Sequence, residues 1–375
     1  MFIPVNEPKL SIEAKKYAHD AIDSGWISSS GKYVTQFEDD FARLYGVRHA
    51  IAVSNGTAAL HVALLALHIG QGDEVIVPAF TMAASWLAVL YTGATPVFVD
   101  CDATTYNIDV HRIEAKISSK TRAIMPVHIY GQPCEMDEIR ALAKRHNVAI
   151  IEDAAEAHGA LYRGRLAGTL GDVGCFSFYG NKIITTGEGG MIITNDDSIA
   201  AQCRKIKDLH HSSTRFIHDG VGYNYRMTNM QAALGCGELA HLQEYIEKKR
   251  WMAQLYKRHL QGIAGIQLPR EVEHAHSVYW MYAIVIDEHK FGMNKQQLRA
   301  GLKDVGIDTR DFFYPPEQQP VLRKILGGEV FPVAADLAHR GLYLPSGLAL
   351  TEAQLLYVCK SIELLHRRNT ACPID

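Results

Sequence analysis

Three groups of residues have the types and spacings that chemistry needs. The first centres on Lys182, set between Phe178-Tyr179 and the glycines Gly187, Gly189 and Gly190. A lysine held among aromatic rings loses solvation, its pKa falls, and the neutral amine becomes a nucleophile for Schiff-base formation. The same lysine at the tip of a hairpin would be solvated and inert. The second group is the acidic run Glu152, Asp153, Glu156 and His158, which follows the apolar Ile150-Ile151. An apolar strand that ends in a carboxylate puts Asp153 where open α/β sheets bind ligands, although an Asp there also serves as a helix N-cap. The third is Ser54, Asn55, Gly56 and Thr57, a small-residue turn between an apolar strand and an apolar helix. Free N–H groups and the dipole at such a helix start suit a phosphate, and Gly and Thr there are also ordinary caps.

Together the three groups are what pyridoxal 5'-phosphate requires: a phosphate cradle, a carboxylate to keep the pyridinium nitrogen protonated, and a Schiff-base lysine that also moves a proton. Neither a Gly-x-Gly-x-x-Gly nor a Walker A string is present, which counts against an NAD-dependent sugar-modifying enzyme.

These groups must be carried by a sheet. Apolar runs at Ala50–Val53, Glu74–Val77, Val97–Val99, Ala123–Val127, Val148–Glu152, Gly174–Phe178 and Met191–Thr194 read as strands, with helices at Ala58–His68 and Met136–His146. Strands that alternate with helices predict a mostly parallel, helix-covered sheet. Gly174–Phe178 and Met191–Thr194 are joined by the polar loop that carries Lys182. From about Met230 the pattern changes: one long helix or two over Ala232–His259, a strand at Trp280–Ile286, a helix at Asn294–Val305 and a last one at Thr351–Arg367. This predicts a large domain over residues 1–245 and a smaller α+β domain over 246–375. The uncharged stretch Val75–Val99 is long enough to suggest a membrane span. Pro78, Gly93 and Pro96 break it into strand, helix and strand instead.

With 375 residues, 38 Lys+Arg against 41 Asp+Glu and 47% hydrophobic residues, the chain has the composition of a globular protein. It has no basic surplus for nucleic acid. The seven cysteines, Cys101, Cys134, Cys175, Cys203, Cys236, Cys359 and Cys372, show no Cys-x-x-Cys spacing and are odd in number. They read as free thiols in a reducing compartment. No signal peptide is visible at the N-terminus, and a cytoplasmic location is expected.

The ordered strings Gly25–Ser29, Ser54–Thr57, Glu152–Gly159, Ser177-Phe178, Lys182, Thr186–Gly190 and Gly222–Met227 resemble the DegT/DnrJ/EryC1/StrS aminotransferases over nearly the whole chain. The resemblance implies the type I, aspartate aminotransferase-like α/β fold, with a seven-stranded mixed sheet and a smaller C-terminal domain. It implies that Lys182 holds the cofactor aldehyde and that Asp153 pairs with the pyridine nitrogen, as the two catalytic residues. Glu156 would lie near the ring hydroxyl, Trp86 would stack on the ring, and Gly56, Thr57 and Ser177 would hold the phosphate. Asn224 would reach that phosphate from a second subunit, which makes a homodimer with shared active sites. Because Lys182 is not replaced by histidine, transamination is favoured over sugar dehydration.

Further strings, Ser24–Lys32, Phe178–Gly190, His218-Asp219, Tyr279–Met281, Thr309–Pro315 and Gln319-Pro320, are most similar to members that aminate a GDP-linked sugar. The implied reaction moves the amino group of L-glutamate, released as 2-oxoglutarate, to C4 of GDP-4-keto-6-deoxymannose, in O-antigen or similar glycan synthesis. A UDP- or dTDP-linked keto sugar, or a non-catalytic cofactor-binding regulator, are the other readings. Tyr179 and the stretch Asp208–Thr214 depart from the pattern. Arg310, Phe313 and Tyr314 are candidate sugar-nucleotide contacts, though Arg310 also fits a structural strand end.

The pairs His210-His211 and His274/His276 match no zinc spacing, so no metal site is expected. His158 is expected to support Asp153. Lys248–Trp251 reads as the solvated face of a helix, and Tyr343–Ser346 as a turn without chemistry.

Overall fold

The computed structural model describes residues 2–214 and 216–370; Cys372 lies outside them. The other six cysteines are buried free thiols. The first part of the chain forms α1 (Ile12–Asp23), α2 (Lys32–Tyr45), β1 (His49–Val53), α3 (Gly56–Ala66), β2 (Glu74–Pro78), α4 (Ala84–Tyr91), β3 (Thr95–Val99), β4 (Thr121–Ile124), α5 (Met136–His146), β5 (Ala149–Asp153), β6 (Val173–Ser177), β7 (Gly190–Thr194), α6 (Asp197–Lys207) and α7 (Asn229–Leu239).

The seven strands make one sheet in the order β1-β7-β6-β5-β4-β2-β3. The run from β3 to β6 is parallel, while β7 is antiparallel to both β6 and β1. The sheet is therefore mixed, as expected. The antiparallel turn between β6 and β7 is the loop that carries Lys182. Val75–Val99 is β2, α4 and β3, broken where Pro and Gly predicted. Among the described residues no helix is long and apolar enough to cross a membrane.

Two helices fix the loop's position. In α3 nearly every residue from Ala58 to Ala66 is buried, because the helix is clamped between β6, β7, β1, α4 and α6 rather than lying on a surface. In α2 the buried residues Tyr33, Phe37, Phe41 and Tyr45 recur every four positions and form one apolar stripe. Phe37 and Phe41 pack on Phe178, with ring centroids at 5.0 and 5.8 Å, so the residue that opens the Lys182 loop is anchored in the core. Glu38, on the same helix, accepts from the Ala52 N–H at 2.8 Å and pairs with Arg204 and Lys207 of α6, which secures the end of β1.

The rest of the chain forms α8 (Leu242–Leu260), β8 (Ile266–Gln267), β9 (Tyr282–Ile286), α9 (Lys295–Asp304), β10 (Arg310–Asp311), β11 (Gly341–Leu344) and α10 (Glu352–Thr370). The helical stretch expected over Ala232–His259 is two helices, α7 and α8, separated at Ala240-His241. The four strands pair antiparallel in the order β8-β9-β11-β10. A second core gathers Met252, Tyr256, Ile284, Leu298, Leu342 and Leu355, and it includes Ile3, whose strand-like pairing with Ile307 brings the N-terminus here.

Candidate active site

Asp153 is the last residue of β5, and it caps no helix. Its Oδ2 accepts from Ser85 Oγ at 2.8 Å and its Oδ1 from the Ala155 N–H at 3.2 Å. Ser85 also shares a 2.8 Å hydrogen bond with Thr81 Oγ1. Ser85 lies in the first turn of α4, so the same helix that carries the neighbouring Trp86 holds Asp153. Burial pushes the Asp153 carboxyl above its usual range, while the Ser85 and Ala155 hydrogen bonds and the charge of Lys182 oppose this.

The Lys182 side chain is 10% exposed, with its Nζ 3.7 Å from Glu156 Oε1 and 3.9 Å from the centroid of the Trp280 ring. Loss of solvation draws the amine below the ordinary lysine value, opposed by the charges of Glu156 and Asp153. Glu156 accepts from the Tyr130 N–H at 2.7 Å, and burial pushes its carboxyl up to about 7. Amine and acid are thus both shifted toward their neutral forms, the condition a proton-transferring pair needs near neutrality.

The helix start at α3 is built for close approach. Asn55 Oδ1 accepts from the Ala58 N–H at 2.8 Å, and the Gly56 and Thr57 N–H groups precede any intrahelical acceptor. Gly56 lies directly against Ser177 at the end of β6: a Cβ on Gly56 would stand 2.7 Å from Ser177 Cβ. Gly190, at the start of β7, faces the Asn55 carbonyl so closely that a Cβ would meet it at 2.4 Å. Only glycine brings these three chain segments together. The cradle, the carboxylate and the lysine therefore fit pyridoxal 5'-phosphate: two backbone donors and a hydroxyl for the phosphate, a buried acid for the ring nitrogen, and a desolvated amine for the aldehyde.

Beyond α4 opens a cavity of about 450 Å³, lined by Trp86, Arg299, Arg310, Phe313, Tyr314 and Tyr343 among others. It joins the expected ring-stacking residue to the expected sugar-nucleotide contacts. Arg310 is exposed there, with Asp308 at 3.9 Å.

The sequence profile of the DegT/DnrJ/EryC1/StrS aminotransferase family matches residues 8–363. The chain belongs to this family. It is 45% identical over 362 residues to GDP-perosamine synthase of Escherichia coli O157:H7, which covers 96% of this chain and 98% of that protein. The Vibrio cholerae protein of the same name is 42% identical, with the same shares covered. Among solved structures, S. venezuelae DesV superposes with a TM-score of 0.91 at 36% identity, covering 98% of this chain and 99% of that one. The aminotransferase from Psychrobacter cryohalolentis gives 0.92 at 32%, covering 98% and 100%. The chain is a pyridoxal-phosphate-dependent aminotransferase with the type I fold.

In this aminotransferase the fold brings Lys182, Asp153 and Glu156 into one group, Gly56, Thr57 and Ser177 into another, and Trp86, Arg310, Phe313 and Tyr314 around one cavity. Asn224 joins none of them: it is exposed, paired in backbone register with Asp208. His158 does not support Asp153. It packs against Phe176 and Phe178 at 5.5 and 5.6 Å, and neither ring nitrogen reaches a hydrogen-bond partner among the described residues. Burial holds it neutral, its basicity pushed down to about 3.

The reading of Lys248–Trp251 as a solvated face fails at Lys249. The helical period turns Lys249 inward with Met252, Ala253 and Tyr256, and its Nζ donates to the Trp280 and Ser346 carbonyls. Tyr343, read as a turn residue, is in β11 and lines the cavity. Ser85, Tyr130, Trp280 and Arg299 are site residues that sequence reasoning missed. Each acts across a tertiary contact, and a lone Ser or Tyr carries no local signal. Of the four, Trp280 alone lies in a string that carries the family resemblance, Tyr279–Met281.

Proposed function

We propose that this aminotransferase moves the amino group of L-glutamate to C4 of GDP-4-keto-6-deoxymannose, giving GDP-perosamine and 2-oxoglutarate. The observation that carries this reading is full-length similarity at 42–45% identity to proteins named for that product, combined with an intact lysine, carboxylate and phosphate cradle.

Lys182 would hold the cofactor's aldehyde carbon, Asp153 the ring nitrogen, Glu156 the ring hydroxyl, and Trp86 a ring face. The N–H groups of Gly56 and Thr57 and the Ser177 hydroxyl would hold the phosphate. When bound, the cofactor supplies an electron sink for the electrons released at the amino-bearing carbon. Asp153, anchored by Ser85, keeps a proton on the ring nitrogen by facing it with negative charge. Lys182 Nζ takes the proton from the amino-bearing carbon of glutamate in the first half-reaction, and in the second it delivers a proton to C4 of the keto sugar. Its reduced basicity lets the amine lose and regain that proton near neutral pH. Arg310, with Phe313 and Tyr314, meets the diphosphate and nucleoside of the sugar nucleotide.

We infer further that two copies share their sites, with Asn224 of each reaching the phosphate held by the other. Its exposure and lack of a contact with its own site support this, and so do the exposed apolar side chains Met82, Ile217 and Val221. Sedimentation of the loaded protein at twice 41.7 kDa is the expected result. A cytoplasmic location and a division into residues 1–245 and 246–375 belong to the same reading. Limited proteolysis tests the division, with fragments ending near 245 expected.

The function is tested by converting the protein to its amino-loaded form with L-glutamate, removing the glutamate and adding GDP-4-keto-6-deoxymannose. Return of the visible absorbance of the lysine-held cofactor is expected. Return only with a UDP- or dTDP-linked keto sugar would overturn the GDP assignment.

A further inference from the structure

We propose that the Trp280 indole is the seat of the Lys182 ammonium whenever that amine is not bonded to another group, holding it charged and aimed as a proton donor. The proposal rests on the reading of Lys182 as the catalytic lysine and goes beyond it by naming the residue that positions it.

The geometry is specific. Lys182 Nζ lies 3.9 Å from the ring centroid, well within the range in which the negative ring face attracts a cation, and the site is buried, where that attraction is strongest. The ring is held at its Nε1 edge, and the backbone that carries it is held at both its N–H and its carbonyl. Its Nε1–H donates at 2.7 Å to the carbonyl of Asn181, the residue just before Lys182. Asn6 Nδ2 donates to the same carbonyl at 2.8 Å. The Trp280 backbone N–H donates to the Tyr130 carbonyl at 2.9 Å, and its carbonyl accepts from Lys249 Nζ at 2.9 Å. The ring therefore holds the lysine's backbone at one edge and the lysine's charge on its face.

The backbone enters this arrangement under strain. Tyr279, immediately before Trp280, has φ +46°, a conformation bulky residues avoid. Such a conformation persists only where its surroundings over-determine it. Here the surroundings are the hydrogen bonds on Trp280 and a packed Tyr130 ring, with centroids 6.3 Å apart.

Other charged groups facing Lys182 are Glu156 at 3.7 Å and Asp153 from the β5 side, with neutral His158 beyond them. Glu7, Lys9, Glu238 and Lys249 line the small pocket on its other side. Glu156 alone would draw the ammonium toward the acid. Trp280 offers a seat that carries no charge and accepts no proton, so it favours the protonated amine, against the pull of desolvation, without taking its proton.

The test uses cofactor-free protein. Reductive methylation of Lys182 with formaldehyde and cyanoborohydride is followed against pH by peptide mass spectrometry, in the parent, Trp280→Leu and Trp280→Phe. Removing the ring face makes the ammonium less stable, so the midpoint for Lys182 is expected to fall by about one pH unit in Trp280→Leu, a tenfold change in the amine equilibrium. Trp280→Phe keeps a weaker face, and a shift of about threefold in the same direction is expected. An unchanged or raised midpoint in Trp280→Leu overturns the proposal. If that variant does not melt cooperatively, an unchanged midpoint in Trp280→Phe does so. Borohydride reduction of the pyridoxal-phosphate-loaded parent tests the underlying reading separately: label on Lys182 supports it, and label on another lysine overturns it whatever the midpoints are.

Discussion

The two faces of β5 carry adjacent carboxylates with opposite fates. Glu152 points to one face and receives four hydrogen bonds: from the N–H groups of Gly168, Leu170 and Gly171 at 2.8, 2.6 and 2.5 Å, and from His128 at 2.9 Å. His128 accepts from the Cys134 N–H through Nδ1, which assigns the proton to Nε2 and makes it the donor to Glu152. Asp153 points to the other face and receives one hydroxyl and one N–H. A carboxylate saturated by its own protein is an architectural tie; one left with lone pairs to spare is available to a ligand. Strand alternation puts the two on opposite faces.

Four experiments break or sharpen that contrast. Lys182→Ala, on the Asp153 face, is expected to lower turnover by at least about 10⁴-fold, because the amine serves as both covalent anchor and proton carrier. Its melting temperature is expected to hold or rise, since a desolvated charge is removed. Activity comparable to the parent in a glutamate-dependent assay would sink the catalytic assignment. Asp153→Asn keeps the shape and removes the charge, and a turnover loss of about a thousandfold is expected, with stability little changed.

Glu152→Gln reverses the pattern. Placing an amide against three N–H donors leaves buried groups unpaired, which is expected to cost about 3 kcal/mol in urea unfolding. Turnover per folded molecule should stay within about threefold of the parent. If Glu152→Gln lost turnover without losing stability, the two faces would not be functionally distinct.

The last effect concerns Lys249, a buried amine whose acceptors are neutral carbonyls. Burial pushes its basicity down to about 7. Between that value and the ordinary lysine range the unfolded chain binds the extra proton, so stability rises with pH across this window, by up to about 1.4 kcal/mol per pH unit. Below pH 7 the full burden of charging the buried amine is present. Melts of the parent and of Lys249→Met from pH 6.5 to 9.5 are expected to show the variant's curve flattened relative to the parent's. Identical slopes would show that Lys249 does not titrate there.

Much of this was legible in residue order. Strand and helix periods marked the seven strands of the main sheet, and the break of Val75–Val99 by Pro and Gly needed no tertiary information. The Lys182 loop, the Asp153 strand end and the Gly56 turn stood out because each depends on local chemistry: a glycine where chains approach, a carboxylate after an apolar run, a lysine between aromatics. These signals are confined to a few consecutive residues, so the sequence determines them alone.

Partnership was decided only by the tertiary structure. Ser85 reaches Asp153 across 68 positions, and Lys249 reaches Trp280 across 31. Glu152 and Asp153 cannot be told apart until Gly168–Gly171 folds back beneath one of them. Lys249 and Lys248 are neighbours with the same side chain, and helix phase against a packed second core sends one inward and leaves the other above the Trp251 ring. Residue type fixes which reactions a side chain can enter; how many donors and charges surround it, which sets its protonation and its freedom to bind, depends on segments far away in the chain.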